Sequence, residues 1–351
     1  MPSHSRFYAM DFSEYSILFH LKARKADFTE KQIEDCLLYA KKLHEQSLPI
    51  IYDTQHLSLL VGYKKSYIKK ALQFTSYFYR TFDIDKKNGK KRTITEPLPS
   101  LKEIQYWILY SILEKIDVHN YSKAYIKGKS IKDNVRFHKN KKYVLTLDIN
   151  NFFPSIKLNL VTKVFSDIGY SPILSNLLAK LCCLDDRLPQ GAPTSPLLSN
   201  IIMKSFDEAI RLYCNPLKIM YTRYADDLTF SGDFHENEII EIVKNELSKM
   251  GLDLNYSKIR LMGKHERQIV TGITVNSKAQ VPPAERNSIR MAVHCIKKYG
   301  LENHMQRMKI TQNNYLKHLL GKVNYVLFIN GENSEFREYQ KYIRSILPDT
   351  F

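Results

Sequence analysis

Cysteine is scarce and unpatterned in this chain. Its 351 residues hold five, Cys36, Cys182, Cys183, Cys214 and Cys295, with no CxxC pair and no histidine at zinc-ligand spacing. That leaves no zinc site legible in the sequence and suits a reduced, intracellular setting. The N-terminus lacks the apolar run of a signal peptide, and no stretch of roughly twenty apolar residues could span a bilayer. The expectation is a cytoplasmic protein with no membrane contact. No internal repeat, low-complexity tract or Pro/Gly/Ser linker separates independent domains. Acidic residues are also in short supply: 36 Asp and Glu face 53 Lys and Arg, for a formal net charge of +17. Such an excess favours phosphate-rich partners, although a basic surface alone can simply be a soluble one. The 23 Tyr and 17 Phe offer ring faces for stacking on unpaired bases and are equally ordinary core material. With 44% hydrophobic residues the chain can bury a sizeable core, as one elaborate domain or a few lobes.

Residues 1 to about 80 read as helical. Thr29 and Gln32 make a capping box, and Ile33, Leu37, Leu38 and Ala40 then recur at helical spacing. From Phe82 to Ile94 short alternating segments flank Lys87-Asn88-Gly89-Lys90, a strong hairpin-turn signal. A helix is expected over roughly Leu101 to Ile116, with Ile104, Trp107, Ile108 and Ile112 on one face. Tyr143 to Ile149 reads as a strand that puts Tyr143, Leu145 and Leu147 on one face and Val144, Thr146 and Asp148 on the other. Helical segments are expected from Leu158 to Leu181 and again after a loop at Leu188. A hairpin from about Leu217 to Ser231 should turn at Ala225-Asp226-Asp227, and beyond Gly272 the chain becomes helical and basic.

Three acidic residues on strands of so basic a chain need a partner, because carboxylates are disfavoured within sheets unless something pairs with them. A hard divalent cation such as Mg²⁺ accepts carboxylate oxygens and keeps positions open for water and phosphate. Two such ions about 4 Å apart activate a hydroxyl nucleophile and stabilise a departing pyrophosphate. Asp226 and Asp227 alone could be turn formers. Asp148 at the end of an apolar strand makes the metal reading the stronger one.

These residues carry a family resemblance. Tyr224-Ala225-Asp226-Asp227 resembles the YxDD hairpin of reverse transcriptases, and Leu147-Asp148-Ile149-Asn150-Asn151-Phe152-Phe153 resembles their first palm motif. Leu188-Pro189-Gln190-Gly191-Ala192-Pro193-Thr194-Ser195-Pro196 is similar to the QGxxxSP motif, and Gly251-Leu252-Asp253-Leu254-Asn255 through Lys258 to the motif ending in a lysine near the triphosphate. The resemblance runs over residues 82 to 275. It implies an α+β right-hand polymerase fold, with fingers, a palm of antiparallel sheet plus helices, and a helical thumb. The implied divisions are 1–55 as a helical N-terminal extension, 56–140 mainly fingers, 141–275 palm with interleaved fingers segments, and 276–351 thumb. It further implies that Asp148, Asp226 and Asp227 are catalytic and hold two Mg²⁺ ions, aided by the carbonyl of Ile149, and that Phe153 closes off the 2′-hydroxyl of a ribonucleotide. Phe152 reads better as core. Five of the seven residues 86 to 92 are basic, and in this family that hairpin closes over the triphosphate. Arg92, whose planar fork suits phosphate, and then Lys86 are the expected clamps, with Gln190 and Lys258 completing the nucleotide site. Lys258 is a candidate proton donor to pyrophosphate and equally a surface lysine.

Two shorter stretches resemble the retron branch of the family: Asn134-Val135-Arg136-Phe137-His138 its NAxxH motif, with Val135 in place of the usual alanine, and Val270-Thr271-Gly272 its VTG motif. Each also has a plain reading, as satisfied polar groups one helical turn apart and as a strand ending in a turn. The resemblance implies a structured noncoding RNA that serves as template and primer, priming from a guanosine 2′-hydroxyl, dNTPs as substrates and a branched RNA–DNA product (msDNA). It also implies template removal by a host RNase H, a separate effector protein and a part in antiphage defence. Asn134, His138, Val270, Thr271, Gly272, Arg286 and Arg290 are the expected RNA-binding residues. Another bacterial reverse transcriptase type (diversity-generating, intron-derived or abortive-infection) would share the aspartates, and an RNA-binding scaffold that holds an effector inactive stays open beside it.

Overall fold

The structure is a computed structural model that describes residues 11–85, 89 and 91–347. Two compact units alternate along the chain. The first comprises Met1–Tyr125, Ile149–Ala209 and Lys244–Leu254, and the second Ile126–Asp148, Ile210–Val243 and Asn255–Phe351. Helix and sheet are mixed, and every paired strand runs antiparallel to its neighbour.

The first unit opens with helices Phe12–Lys25, Glu30–Glu45, Thr54–Val61 and Lys65–Gln73. The capping box forms: the Gln32 backbone N–H donates to Thr29 Oγ1 and Gln32 Oε1 accepts from the Thr29 N–H. Ile33, Ala40 and Leu43 face inward. Leu38 does not, at 58% exposed, because five residues beyond Ile33 it lies off the i, i+4, i+7 stripe. Strands β1 (Tyr79–Asp85) and β2 (Lys91–Pro97) pair from Tyr79↔Pro97 to Asp85↔Lys91, a longer ladder than the alternation suggested. Of the expected turn only Gly89 is described; Lys86, Lys87, Asn88 and Lys90 lie outside the described residues. The next helix is Pro99–Ser111 and yields to a 3₁₀ turn, Leu113–Lys115, instead of running on to Ile116. Its inward face carries Leu101, Ile104 and Ile108 together with Gln105, which donates to the Leu181 carbonyl. Helices Leu158–Asp167 and Pro172–Cys182 divide the long helical stretch, with Gly169 at φ +103° between them. The Gln190-Gly191 loop lies against β2: the Thr95 N–H donates to the Gln190 carbonyl at 2.9 Å, and Gly191 has φ +141°.

The second unit is built on a four-stranded sheet in the order β4-β5-β3-β6. Its strands are β3 (Tyr143–Asp148), β4 (Met220–Tyr224), β5 (Asp227–Gly232) and β6 (Arg260–Gly263). The register sorts residues by face, since directly paired residues point the same way. Leu145 and Leu147 of β3 pair with Phe230 and Leu228 of β5, which pair with Tyr221 and Arg223 of β4; this side is apolar apart from the arginine. The opposite side carries Asp148 beside Asp227, then Thr146, Thr229 and Thr222, then Val144 and Ser231. Asp148 is thus turned away from the leucines. A short hairpin of β7 (Ile269–Val270) and β8 (Ile273–Thr274) follows, then helices Pro283–Tyr299, Leu301–Arg307, Tyr315–Ile329 and Ser334–Ser345. These helices share one core with the sheet and hairpin: Val144, Met262, Val270 and Ile273 pack in the same cluster as Val293, Val323 and Phe336. Among the described residues no helix is long and apolar enough to cross a membrane.

Candidate active site

β3 is buried along both faces, with Val144, Leu145 and Leu147 at no more than 1% exposure, and Asp148 at its end keeps only 6%. The antiparallel register sets Asp227, the first residue of β5, directly opposite Asp148. β4 and β5 are joined by a two-residue turn, Ala225-Asp226, closed by the pair Tyr224↔Asp227. Ala225 takes φ +59°, a backbone region that disfavours a residue with a Cβ by about 1 kcal/mol. The turn is supported from behind by Arg223, a fully buried arginine whose guanidinium donates to the Ala225 carbonyl at 3.2 Å. Local strand pairing therefore brings three carboxylates to one edge of the sheet.

Their electrostatics follow. Burial, then the neighbouring Asp226 and Asp148 carboxylates, push the Asp227 carboxyl up to about 7, against the opposing pull of Lys258. Asp148 is better provided for. Lys258, in the 3₁₀ turn Tyr256–Lys258, places its ammonium 2.7 Å from Asp148 Oδ2; Asn255 donates its side-chain amide to Oδ1 at 3.3 Å and its backbone N–H to the Asp148 carbonyl at 2.8 Å. Among the described residues no three His, Cys, Asp or Glu side chains converge tightly enough to hold a metal ion as they stand. The donor chemistry nevertheless fits a hard divalent cation. All three groups are carboxylates, two are cross-strand neighbours, and Asp227 is raised first by burial and then by Asp226 and Asp148, which Lys258 alone does not offset.

The remaining expected nucleotide-site residues lie in the first unit. Phe153, in the short helix Phe152–Ser155, is half-buried, with its ring centroid 5.4 Å from Phe152 and 6.3 Å from Tyr125. Phe152 is buried at 4%, in keeping with its reading as core. Ile149 is likewise buried, and its backbone bridges to Leu254. Gln190 is fixed through its carbonyl on Thr95, and Arg92 is exposed on β2 opposite Ile84. Lys86 lies outside the described residues.

Three of the seven expected RNA-contacting residues are enclosed by the fold. Asn134, His138 and Val270 each have 0% exposure, so these side chains have no surface to offer RNA. Instead the Asn134 amide donates to Thr271 Oγ1 at 2.8 Å, His138 bonds Ser231 and Thr222, and Val270 packs in the core. The two short motifs are thus joined to each other. Thr271 and Gly272 form the turn between β7 and β8 at φ +47° and +80°, and Gly272 is exposed. Arg290 is committed to a two-pronged pair with Glu335 at 2.8 and 2.7 Å and to Asn287 at 2.7 Å, while Arg286 donates to the Val281 carbonyl. Sequence reasoning passed over two residues of the site. Asn255 stands within the Gly251-to-Lys258 motif, which was the available signal. Arg223 carried none beyond being a cation inside a strand.

A family model described as reverse transcriptase (RNA-dependent DNA polymerase) matches residues 84–322. Retron Ec86 reverse transcriptase of Escherichia coli is 31% identical over 260 residues, covering 73% of this chain and 81% of that protein. Retron Ec83 reverse transcriptase of Escherichia coli is 34% identical over 244 residues, covering 64% and 78%. Retron Mx162 reverse transcriptase of Myxococcus xanthus is 31% identical over 260 residues, and there the match spans only 54% of the relative. Among solved structures, apo telomerase from Candida tropicalis, truncated from its C-terminal domain, matches with a TM-score of 0.41 at 13% identity over 63% of this chain and 61% of that one, too loose a likeness to bear on the site. The chain belongs to the reverse transcriptase family of RNA-directed DNA polymerases, which work with divalent metal ions and share a right-hand fold. Within that family it is of the bacterial retron type.

Proposed function

We propose that this protein is the polymerase of a retron, copying part of a structured noncoding RNA into DNA that stays joined to the RNA through the 2′-hydroxyl of a priming guanosine. The polymerase part of the reading rests on the strand register that sets Asp148 opposite Asp227 with Asp226 in the adjoining turn, and the retron part on the likeness to retron reverse transcriptases. Asp148 and Asp226 would hold two Mg²⁺ ions, with Asp227 and the Ile149 carbonyl at the edge, and Asn255 orients Asp148. Such ions, when bound, would make the attacking hydroxyl more acidic and offset the charge of the departing pyrophosphate. Phe153, backed by Phe152 and Tyr125, excludes a 2′-hydroxyl on the incoming nucleotide by clash and so favours dNTPs. Arg92 and Lys86 clamp the triphosphate, and Gln190 lines the nucleotide site. Lys258 exchanges its Asp148 partner for the triphosphate and gives a proton to the leaving group.

In this reading residues 1–55 are an N-terminal extension, 56–140 mainly fingers, 141–275 palm with interleaved fingers segments, and 276–351 the thumb. The Thr271-Gly272 turn, exposed at Gly272, and the basic helices beyond it grip the RNA by shape, phosphates and 2′-hydroxyls. A host RNase H removes the template, and a separate effector protein completes an antiphage system in the cytoplasm.

The test expresses the gene with its native flanking DNA and resolves the nucleic acid that co-purifies on denaturing gels before and after RNase and DNase, beside an Asp226→Ala, Asp227→Ala variant. Short DNA joined to RNA through a 2′,5′ linkage, present only with the wild type, is the expected result. RNA alone from both proteins would refute the proposal in favour of a scaffold.

A further inference from the structure

His138 has no part in the polymerase reading above, and its burial keeps it from RNA, yet its position is unusual. The ring has 0% exposure and bonds at both nitrogens: Nδ1 lies 2.7 Å from Ser231 Oγ and Nε2 2.7 Å from Thr222 Oγ1. Those hydroxyls belong to different strands, Thr222 to β4 and Ser231 to β5, the two arms of the hairpin whose turn carries Asp226 and Asp227. They are not paired with each other. The register pairs Thr222 with Thr229 and Met220 with Ser231, so the ring spans the hairpin on a diagonal. A one-residue slip of either strand would carry a hydroxyl to the opposite face and break the bridge. Both hydroxyls lie on the face that holds Asp227 and Asp148.

The chemistry of the ring suits a bridge. Burial, with Lys141 nearby, pushes the imidazole down to about 3, so it stays neutral, with one donor nitrogen and one acceptor nitrogen. Each hydroxyl can rotate to complete its half. Along the hairpin, Thr222 stands two residues and Ser231 four residues from the level of Asp227, roughly 7 and 14 Å at strand rise, and the ring bonds these hydroxyls rather than the carboxylates. The same short segment is tied down at its other end, where Asn134, also fully buried, donates to Thr271.

We propose that His138 is a positioning residue for the catalytic hairpin, which locks β4 to β5 in the register that sets Asp227 opposite Asp148. This rests on the polymerase reading, because it gives the hairpin its role. His138→Phe keeps the bulk of the ring and removes both bonds. His138→Gln retains one donor and one acceptor. Thr222→Val and Ser231→Ala remove the partners one at a time with little change of volume. The assay is steady-state extension of oligo(dT) on poly(rA) with dTTP and Mg²⁺ by the full chain, with thermal stability measured alongside and Asp226→Asn as control.

We expect His138→Phe to lower kcat at least tenfold with KM for dTTP within about twofold, and to raise the half-saturating Mg²⁺ concentration severalfold, since the carboxylates are displaced while the dTTP contacts are not. Thr222→Val and Ser231→Ala should each lower kcat severalfold, and adding either to His138→Phe should bring no further loss. His138→Gln should recover a third or more of wild-type kcat. If His138→Phe does not fold, the two hydroxyl variants carry the test. Wild-type kcat and Mg²⁺ dependence in Thr222→Val and Ser231→Ala would overturn the proposal, as would a loss expressed only in thermal stability or only in template affinity. An active Asp226→Asn control would instead overturn the polymerase reading itself.

Discussion

Replacing Asp227 with Asn should make the metal-free protein more stable, by an amount that depends on pH. Asp227 has an ordinary carboxyl value of 3.8, and burial together with the adjacent Asp226 and Asp148 raises it to about 7 in the fold. The sign follows from which state keeps the proton. Between these two values the folded protein holds a proton that the unfolded chain has released, so wild-type stability is greatest below the lower value and falls as pH rises towards the upper one. Asn does not titrate. The stability gap between variant and wild type should widen by at most about 1.4 kcal/mol per pH unit between roughly pH 4 and 7 and then level off. The full shift corresponds to about 4 kcal/mol, and solvent near the partly exposed carboxylate reduces that to roughly 2–4 kcal/mol. Urea unfolding in EDTA at intervals from acid to mildly alkaline pH measures the gap. A gap that stays constant across the range, or narrows as pH rises, would refute the claim that burial and the neighbouring carboxylates raise the Asp227 carboxyl. Saturating divalent metal should shrink the gap, because a cation stabilises the aspartate form and not the amide.

Three further outcomes are expected. Gly191→Ala puts a Cβ 2.7 Å from the Thr95 carbonyl oxygen at a backbone φ of +141°, and should cost about 2–4 kcal/mol in thermal or urea unfolding. Phe153→Ala leaves Phe152 and its core packing in place, and should raise ribonucleotide incorporation relative to dNTP by on the order of ten- to a hundredfold in primer extension. Lys258→Met removes the 2.7 Å partner of Asp148; because that lysine is 57% exposed, metal-free stability should fall by only about 1 kcal/mol. The same change removes the one influence that lowers the Asp227 carboxyl, so the pH at which the Asp227→Asn gap levels off should move upward.

The sequence spoke most clearly where one periodicity ruled. β3 alternates cleanly, and the side on which Asp148 points could be read from Leu145 and Leu147 alone; the turn at Ala225-Asp226 was legible because strand-like runs flank it. Interruptions were harder to see. The helix after Pro99 stops at Ser111 although Ile112 continues its apolar stripe, since periodicity marks a face and not the residue at which the backbone leaves the helix. Gln105 is buried in that helix through a bond to a carbonyl 76 residues away, a partner no local window contains. The same limit governed the short motifs. Asn134 and His138 could be read as RNA contacts or as satisfied polar groups, and their partners, Thr271, Thr222 and Ser231, lie far off in sequence. The two readings of a buried and an exposed polar residue are indistinguishable until the fold brings those hydroxyls to them. Arg290 has a partner of the same distant kind, Glu335 on another helix.

Primer extension on a defined RNA template tests the central claim most directly: purified wild type, Asp148→Asn and Asp226→Asn, each given a DNA primer on RNA, labelled dNTPs and Mg²⁺, with extension resolved on a denaturing gel. The account predicts DNA synthesis by the wild type that stops when EDTA is added and is lost by at least a thousandfold in both variants. Extension by either variant at a rate near wild type would contradict it, because the chemistry would then not lie with the carboxylates that β3 and the β4–β5 turn bring together.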